Sequence, residues 1–359
     1  MSKLKIGIIG CGGIANGKHM PALKELGDMC EMVAFCDIVE QKAVDAAKKY
    51  GAEGAKTYVD YKELLADDSI DVVHVCTPNR EHSFITVDAL EAGKHVYCEK
   101  PMAKSYAEAK KMYDAAERTG KKLTIGYQNR QHGQHQYAKT VCDAGEIGEV
   151  YFAEAFAIRR RAVPTWGVFL NEEEQGGGPL IDIGTHALDL TLWMMNNYKP
   201  KLVVGNTFFK LREGKGSANA WGDWDTDKFT VEDSAFGYIR MENGAVIMLK
   251  SSWALNYADP AEACYIICGD KGGIDSRGDL KINFVKNGRQ VLELPSMSAG
   301  GAAYFAGKGS DTDVNDMYQW LNAVITDTDP CVLPYQALCV SQILEAIYTS
   351  AKTGEPVVF

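Results

Sequence analysis

The sequence has no apolar run that approaches the roughly 20 residues of a membrane-spanning helix. We also expect no secretory signal, since Met-Ser-Lys-Leu-Lys leads at once into an apolar strand pattern. Positive charge is in short supply: the net charge is −10, and such a negative field repels nucleic acid and anionic lipid. We therefore expect a chain that binds neither nucleic acid nor a membrane.

Paired cysteine motifs are absent as well. The ten cysteines occur singly, and Cys264 and Cys268 are too far apart for a Cys-x-x-Cys redox pair. Several others, such as Cys36, Cys76 and Cys98, lie within apolar strand patterns. This usage predicts free thiols in a reducing cytoplasm rather than a disulfide framework.

The first part of the chain alternates short apolar strands with helices. Strand patterns cover 5–9, 31–36, 72–76, 95–98 and 123–126, and helical patterns cover 14–26, 39–50, 81–91 and 105–119. Strands that alternate with helices form parallel βαβ units. The sequence therefore predicts an α/β fold whose N-terminal domain, residues 1–126, is a Rossmann doubly wound parallel sheet.

The second part follows a different pattern. Strand patterns at 150–158, 202–210, 229–241, 245–253 and 263–268 have few helices between them, and Asn243-Gly244 is a hairpin signal. Helical patterns cover 180–195, 314–325 and 335–351, and the Gly/Ala-rich segment 299–309 predicts a loop. Residues 127–359 are therefore predicted to form a C-terminal α/β domain with a largely antiparallel open sheet. Its final helices can pack back on the first domain.

A glycine-rich turn follows the first strand. Residues 10–15 read Gly-Cys-Gly-Gly-Ile-Ala, the G-x-G-x-x-A form of the dinucleotide fingerprint, with a strand before it and a helix after it. An acidic residue, Asp37, ends the second strand, where it can bind the adenosine ribose hydroxyls and repel a 2′-phosphate. The motif therefore predicts NAD, with a solvated loop aspartate as the alternative for Asp37. The predicted cofactor contacts in this region are Gly10, Gly12, Gly13, Ile14 and Asp37.

A polar turn ends the strand at 72–76. Thr77, Pro78 and Asn79 lie at the carboxyl edge of the predicted sheet, where ligands of such folds bind. They are predicted cofactor contacts, although a plain strand-ending turn explains them equally well.

Two further motifs occur in order after the fingerprint. Cys98-Glu99-Lys100-Pro101 ends the fifth strand, and residues 176–189 read Gly-Gly-Gly-Pro-Leu-Ile-Asp-Ile-Gly-Thr-His-Ala-Leu-Asp. They resemble the E-K-P signature and the G-G-G…D-x-G-x-H-x-x-D segment of the Gfo/Idh/MocA oxidoreductases, and the resemblance spans essentially the whole chain. It implies a Rossmann domain, a nicotinamide cofactor and oxidation of a hydroxyl carbon.

Oxidation of a secondary alcohol needs a base for the hydroxyl proton and a cation near the developing alkoxide. Asp182 and His186 are four residues apart, so on a helix they share one face. By resemblance, His186 is the base, Lys100 orients and stabilises the substrate oxygen, and Asp182 tunes the base. All three are then also substrate contacts. The alternatives are a buried core histidine and a surface lysine.

The resemblance suggests further contacts close to these motifs. Residues 127–130, Tyr-Gln-Asn-Arg, resemble a family stretch near the active site. Tyr127 is therefore a predicted substrate contact, and Glu99 and Arg130 are predicted cofactor contacts. Arg130 can instead pair with a surface carboxylate.

Aromatic and basic residues follow the first strand of the second domain. The residues predicted to line the substrate mouth are Arg159, Arg160, Arg161 and Trp166. Trp221 and Trp224, in an acidic segment, can stack on a sugar ring or form a subunit contact.

The remaining histidines give weaker signals. His19 and His82 are predicted to lie on helix surfaces. His132 and His135 fall in a polar stretch that predicts a loop, and because no third ligand is near them we expect no metal.

These observations predict an NAD-dependent oxidoreductase that acts on a secondary hydroxyl of a sugar, glycoside or inositol. General resemblance favours oxidation of a glucoside at C3 to a 3-keto sugar. Two alternatives stay open: an NAD-dependent glycosidase that works through transient C3 oxidation, and a non-catalytic sugar or nucleotide sensor. The family's open sheet face implies a homo-oligomer.

Overall fold

The computed structural model describes residues 3–214, 218–296 and 312–359. The predicted loop at 299–309 therefore lies outside the described residues. The chain divides into two compact units. Of the described residues, the first unit contains those up to Gln131 and those from Thr312 to Leu338, and the second contains the rest.

The first unit is built on a parallel sheet. Its described strands are β1 Leu4–Ile9, β2 Cys30–Cys36, β3 Lys56–Tyr58, β4 Val72–Val75, β5 His95–Cys98 and β6 Leu123–Ile125. They pair in the order β3-β2-β1-β4-β5-β6, and every pair is parallel. The strand order reverses between β1 and β4, which is the switch point where doubly wound sheets bind nucleotides. The predicted Rossmann sheet is therefore confirmed.

Helices connect these strands. They are α1 Met20–Glu25, α2 Glu40–Tyr50, α3 Tyr61–Leu65, α4 Asn79–Glu91 and α5 Tyr106–Thr119. Local sequence sets the ends of α5: the Ser105 hydroxyl accepts a hydrogen bond from the backbone N–H of Glu108, and Gly120 ends the helix at φ +65°. The predicted start near Ser105 and stop at Gly120 are confirmed.

The first helical pattern is less regular than predicted. A π-helical turn, Ala15–His19, continues directly into α1, so one helical segment spans the predicted range 14–26 as far as Glu25. The strand β3 and the helix α3 were not predicted. All three residues of β3 are at least partly exposed, so no apolar alternation marks the strand in the sequence.

The second unit contains a larger mixed sheet. Its described strands are β7 Val150–Ile158, β8 Pro200–Phe208, β9 Ser234–Met241, β10 Val246–Ser252, β11 Glu262–Gly269, β12 Gly272–Asp275, β13 Lys281–Lys286, β14 Arg289–Glu293 and β15 Val357–Val358. The order is β14-β13-β12-β11-β7-β10-β9-β8-β15, and β7 with β10 is the parallel pair among antiparallel ones. This confirms the predicted open, largely antiparallel sheet and the hairpin at Asn243-Gly244.

The remaining helices are α6 Gly133–Asp143, α7 Glu172–Gln175, α8 Thr185–Met195, α9 Thr312–Ile325 and α10 Pro334–Thr353. The helix α6 corrects the predicted polar loop at 132–135. Its buried residues, His135, Ala138 and Val141, repeat every three positions, and a histidine in that row hid the apolar pattern.

The buried core of the first unit combines early and late parts of the sequence. Ile6 and Ile8 of β1 share one cluster with Met317, Trp320 and Leu321 of α9. Burial of such apolar side chains stabilises the unit by about 1.5–3 kcal/mol each. All ten cysteines are free thiols, as predicted. In the described part of the chain, no helix combines the length and the apolar character that crossing a membrane requires.

Candidate active site

The strand register of the first unit brings the predicted cofactor residues to one edge. Ile9 pairs with both Cys36 and Val75, and Val75 pairs with Cys98. The residues that follow these strand ends therefore lie in adjacent turns at the carboxyl edge of the sheet. They are Gly10, Asp37, Cys76 and Glu99.

The fingerprint turn has the features that a dinucleotide requires. Gly10 has φ +89°, and a Cβ there would lie 2.6 Å from the carbonyl oxygen of Cys76, so only glycine fits. No described atom lies within 4 Å of the Cβ positions of Gly12 and Gly13, which leaves their backbone open to a pyrophosphate. Ala15 is fully buried as the helix begins. These residues fit NAD.

Asp37 connects the fingerprint to the end of β2. Its Oδ2 accepts a hydrogen bond from the backbone N–H of Cys11 at 2.9 Å, and its Oδ1 accepts one from Val39 at 2.9 Å. The half-buried carboxylate therefore orders the turn after β2 and places a negative charge there. Its contact with the adenosine ribose stays a prediction.

We expect Asp37→Ala to weaken NAD binding by about 10- to 100-fold, because a hydrogen bond to a charged group contributes roughly 1.5–3 kcal/mol. Loss of the charge should at the same time improve the use of NADP. Titration calorimetry with both dinucleotides measures the change. The matched control is Asp45→Ala, which removes an exposed carboxylate from α2. A wild-type protein that already prefers NADP would contradict this role of Asp37.

The turns after β4 and β5 are joined by a histidine. His82 contacts the carbonyl oxygen of Thr77 at 2.9 Å through Nε2 and that of Pro101 at 2.8 Å through Nδ1. The ring is 1% exposed, so its predicted place on a helix surface is wrong. Burial lowers the pKa of His82. Because Pro101 directly follows Lys100, the histidine helps to fix the turn that carries the predicted catalytic lysine. Thr77 and Pro78 lie in the turn after β4 and Asn79 begins α4, and the cofactor contacts of all three stay predictions.

Glu99 also holds the turn after β5, which carries Lys100. Its Oε1 binds Lys18 Nζ at 3.0 Å and His19 Nε2 at 2.8 Å, and its Oε2 accepts a hydrogen bond from the backbone N–H of Lys100 at 3.2 Å. Burial opposes ionisation of Glu99, but Lys18 and His19 hold the pKa of this carboxyl well below its usual range. The carboxylate therefore positions Lys100, and its predicted cofactor contact stays a prediction.

His19 was misjudged from the sequence, and Lys18 was not identified. Lys18 and His19 are only 4% and 0% exposed, so the surface position predicted for His19 is wrong. Burial disfavours the charged form of Lys18, but Glu99 and Asp316 outweigh it and raise its pKa. Helical periodicity alone does not reveal a buried charge whose partners lie far along the chain.

Tyr127 and Arg130 are also internal, at 1% and 0% exposure. Arg130 Nη1 donates to the carbonyl oxygen of Cys331 at 2.9 Å and to Gln336 Oε1 at 2.8 Å. The alternative of a surface ion pair for Arg130 is therefore wrong. Its predicted cofactor contact, and the substrate contact of Tyr127, stay predictions.

In the second unit, a buried and a half-buried side chain clamp the glycine run before α8. A Cβ at Gly177 would overlap Tyr348 Oη, and one at Gly178 would overlap the backbone of Glu232. Glu232 accepts hydrogen bonds from the backbone N–H groups of Gly178 at 2.8 Å and Leu180 at 3.1 Å, and from Tyr348 Oη at 2.9 Å. Burial raises the pKa of Glu232 to about 7, against these three donors. Sequence reasoning missed both residues.

This clamp starts the segment that carries Asp182 and His186. A π-helical turn, Leu180–Gly184, passes directly into α8, so the predicted helix over 180–195 is confirmed, with its first turn wider than an α-helix. From Leu180 to Leu192 every residue is buried except Asp182 and His186. The two side chains are therefore the ones that this segment offers to a substrate.

Asp182 is tied to neighbouring strands. Its Oδ2 accepts a hydrogen bond from Trp253 Nε1 at 2.9 Å and lies 4.0 Å from Arg159 Nη1. Trp253 is fully buried directly after β10, so it fixes the carboxylate next to the end of that strand. Sequence reasoning missed Trp253. The tuning of His186 by Asp182 stays a prediction.

Two of the remaining predicted residues are part of the core. Trp224 is only 8% exposed, and its Nε1 donates to the carbonyl oxygen of Arg212 at 3.2 Å, so a sugar-stacking role for Trp224 is wrong. His135 is buried, and its Nδ1 lies 3.1 Å from Tyr265 Oη. The described residues contain no cluster of three or more His, Cys, Asp or Glu side chains that could hold a metal.

The predicted residues thus form two groups. The first unit gathers Gly10, Gly12, Gly13, Ile14, Asp37, Thr77, Pro78, Asn79, Glu99 and Lys100 on one sheet edge. The second unit gathers Asp182 and Arg159, with His186 one turn beyond Asp182 and Trp166 near Arg159 through Trp221.

Comparison with known proteins finds similar sequences along nearly the whole chain. Residues 4–127 match the family model described as "Oxidoreductase family, NAD-binding Rossmann fold", and residues 135–275 match the GFO/IDH/MocA C-terminal domain. The D-glucoside 3-dehydrogenase of Escherichia coli (strain K12) is 36% identical over 353 residues, covering 98% of this chain and 97% of that protein. An inositol 2-dehydrogenase of Salmonella typhimurium is 33% identical over 198 residues, covering 55% of this chain and 56% of that protein.

Solved structures show the same fold. An oxidoreductase domain protein from Kribbella flavida superposes with a TM-score of 0.86 at 24% identity, covering 100% of this chain and 99% of that one. Levoglucosan dehydrogenase in complex with NADH and levoglucosan superposes with a TM-score of 0.85 at 21% identity, covering 99% of both chains. The chain therefore belongs to the GFO/IDH/MocA oxidoreductase family and is an NAD-dependent oxidoreductase.

Proposed function

We propose that this enzyme oxidises a secondary hydroxyl of a sugar, and specifically the 3-hydroxyl of a glucoside, to a ketone. The observation that carries this proposal is the similarity to a D-glucoside 3-dehydrogenase along nearly the full length of both chains. The partly exposed pair Asp182 and His186 supports it, because a sensor needs no base at that position.

Three side chains share the proposed chemistry. Bound NAD supplies the hydride acceptor. His186 takes the hydroxyl proton as the C3–H bond breaks and the C3–O bond becomes a carbonyl. Lys100 holds the same oxygen and stabilises its alkoxide character. Asp182, fixed by Trp253, orients the substrate and tunes the base.

A glucoside that carries deuterium at C3 tests this directly. We expect the label to appear in the reduced cofactor and to slow the chemical step when a single turnover is followed. Steady-state rates are a poorer measure, since product or cofactor release often limits turnover. Glucosides labelled at C1, C2 or C4 serve as controls.

Each of the other outcomes would indicate a different function. Label from C1 would indicate an aldose dehydrogenase, and label from no ring carbon would remove glucosides and leave inositols to be tested. Release of the aglycone without net NADH would indicate a glycosidase that oxidises C3 only transiently. Binding of sugars without any oxidation would indicate a sensor.

We also propose that two or more copies associate through the open face of the second sheet. Adjacent rows across its central strands differ sharply in burial. One row is fully buried: Ile239, Ile247, Ala153 and Ile267. The next row leaves the apolar side chains Tyr238, Met248 and Ile266 partly exposed, with Glu154 between the last two. Such patches support association. Light scattering should give a multiple of 39.3 kDa, and a single-chain mass would contradict it.

We also propose that the enzyme is located in the cytoplasm. The support for this location is the set of ten free thiols, many of them buried, which suits a reducing compartment.

A further inference from the structure

We propose that Trp166 and Trp221, beside Arg159, form an aromatic subsite for the aglycone ring of a glycoside. The inference rests on the proposed function. It concerns the aglycone, the part of the substrate that the proposed function does not specify. A free monosaccharide lacks the group that this subsite would hold.

The two indoles are unusual in their exposure. Trp166 is 51% exposed and Trp221 is 43% exposed, whereas Trp224, Trp253 and Trp320 are all buried. Their ring centroids are 4.8 Å apart with the planes nearly perpendicular, at 87°. Exposed indoles leave apolar area in water, and paired ones of this kind are typical of ligand-binding surfaces.

Hydrogen bonds fix the two loops that carry these rings. Thr165 Oγ1 donates to the carbonyl oxygen of Trp221 at 2.7 Å. Asn219 forms a reciprocal pair with the backbone of Val163, accepting from its N–H at 2.8 Å and donating to its carbonyl oxygen at 3.0 Å. Because the loops are already ordered, a ligand that binds there loses little affinity to the ordering of side chains.

Arg159 connects the indoles to the predicted catalytic carboxylate. Its guanidinium lies 5.4 Å from the Trp221 ring centroid, and its Nη1 lies 4.0 Å from Asp182 Oδ2. Glu262 holds this guanidinium through two contacts of 2.6 Å, so its position is well defined. A substituent on a sugar bound at Asp182 therefore meets a fixed cation and then two indoles.

The chemistry of this row suits a ring joined to the oxidised sugar. An indole face packs against the C–H face of a second sugar ring or against an aryl ring. The guanidinium donates to hydroxyl or glycosidic oxygens. Both kinds of aglycone share this recognition, so the experiment includes one of each.

The test compares methyl, phenyl and glucosyl glucosides of one anomer with wild-type enzyme and with Trp166→Ala and Trp221→Ala. We expect KM for the phenyl and glucosyl glucosides to rise about 10-fold in each variant, with a change below about twofold for the methyl glucoside. A difference between the phenyl and glucosyl arms identifies the preferred aglycone. Trp221→Phe, which keeps an aromatic ring, should recover part of the loss.

Phe84→Ala is the matched control, because Phe84 is a 47% exposed aromatic residue of the first unit. Calorimetry without NAD measures the binding of phenyl and methyl glucoside directly, so the subsite is tested even if no glucoside is oxidised. Absence of oxidation in the wild type would overturn the proposed function alone. Equal binding of both glucosides, unchanged in the tryptophan variants, would overturn the subsite. A fall in solution mass with unchanged affinity would make the tryptophans a subunit contact instead.

Discussion

Replacing His186 by alanine should lower kcat by about 10²–10⁴ while NAD binding stays at the wild-type level. The imidazole is the proposed base, and it is one of two partly exposed side chains on an otherwise buried segment. Alanine is compatible with α8 and removes no buried apolar group, so the fold should persist. Single-turnover kinetics measure the loss, and calorimetry with NAD and thermal melting confirm that the variant is intact.

A matched variant separates loss of the base from loss of any histidine. His132 is exposed at the start of α6, so His132→Ala should leave kcat unchanged. Added imidazole should restore part of the rate of His186→Ala, because a small base can occupy the space that the side chain leaves. Near-normal turnover without imidazole would move the proton transfer to another residue, and Tyr127 would be examined next.

The sequence predicts much of the fold because neighbouring elements follow from local patterns. The strands at Val150–Ile158 and His95–Cys98 have the predicted bounds, since turn or proline signals flank short apolar runs. The elements that were missed, such as α6 and the strands β12 to β14, lack this contrast. The strand β14 has four exposed residues out of five, so its pairing with β13 rather than its own sequence makes it a strand.

The site divides along the same line. Within each of the two signature motifs the residues are close in sequence, so their spacing predicts that they lie in the same turn. Glu232 and Tyr348 clamp the glycine run from 54 and roughly 170 positions away, and no local pattern indicates this. Lys18 likewise binds Glu99 across 81 positions. A buried charge is stable only with its partner, and the partner is visible only in the folded chain.

Replacing Lys100 by methionine should lower kcat by about 10²–10³, the usual cost of losing one donor to a developing oxyanion. Methionine keeps the length of the side chain and removes the ammonium. The position of the residue should not change, because its backbone N–H donates to Glu99 Oε2 and Glu99 is held by Lys18. Single-turnover rates with a saturating glucoside measure the effect.

Two further substitutions define what the ammonium contributes. Lys111→Met removes an exposed lysine from α5 and should leave the rate unchanged. Lys100→Arg keeps the charge but replaces a compact donor by a planar fork, so it should recover only part of the rate. The role assigned to the ammonium depends on whether kcat or the affinity for NAD falls. A lower kcat with normal NAD affinity places the ammonium at the reacting oxygen. Weaker NAD binding with an unchanged kcat would contradict that role and make Lys100 a cofactor contact alone.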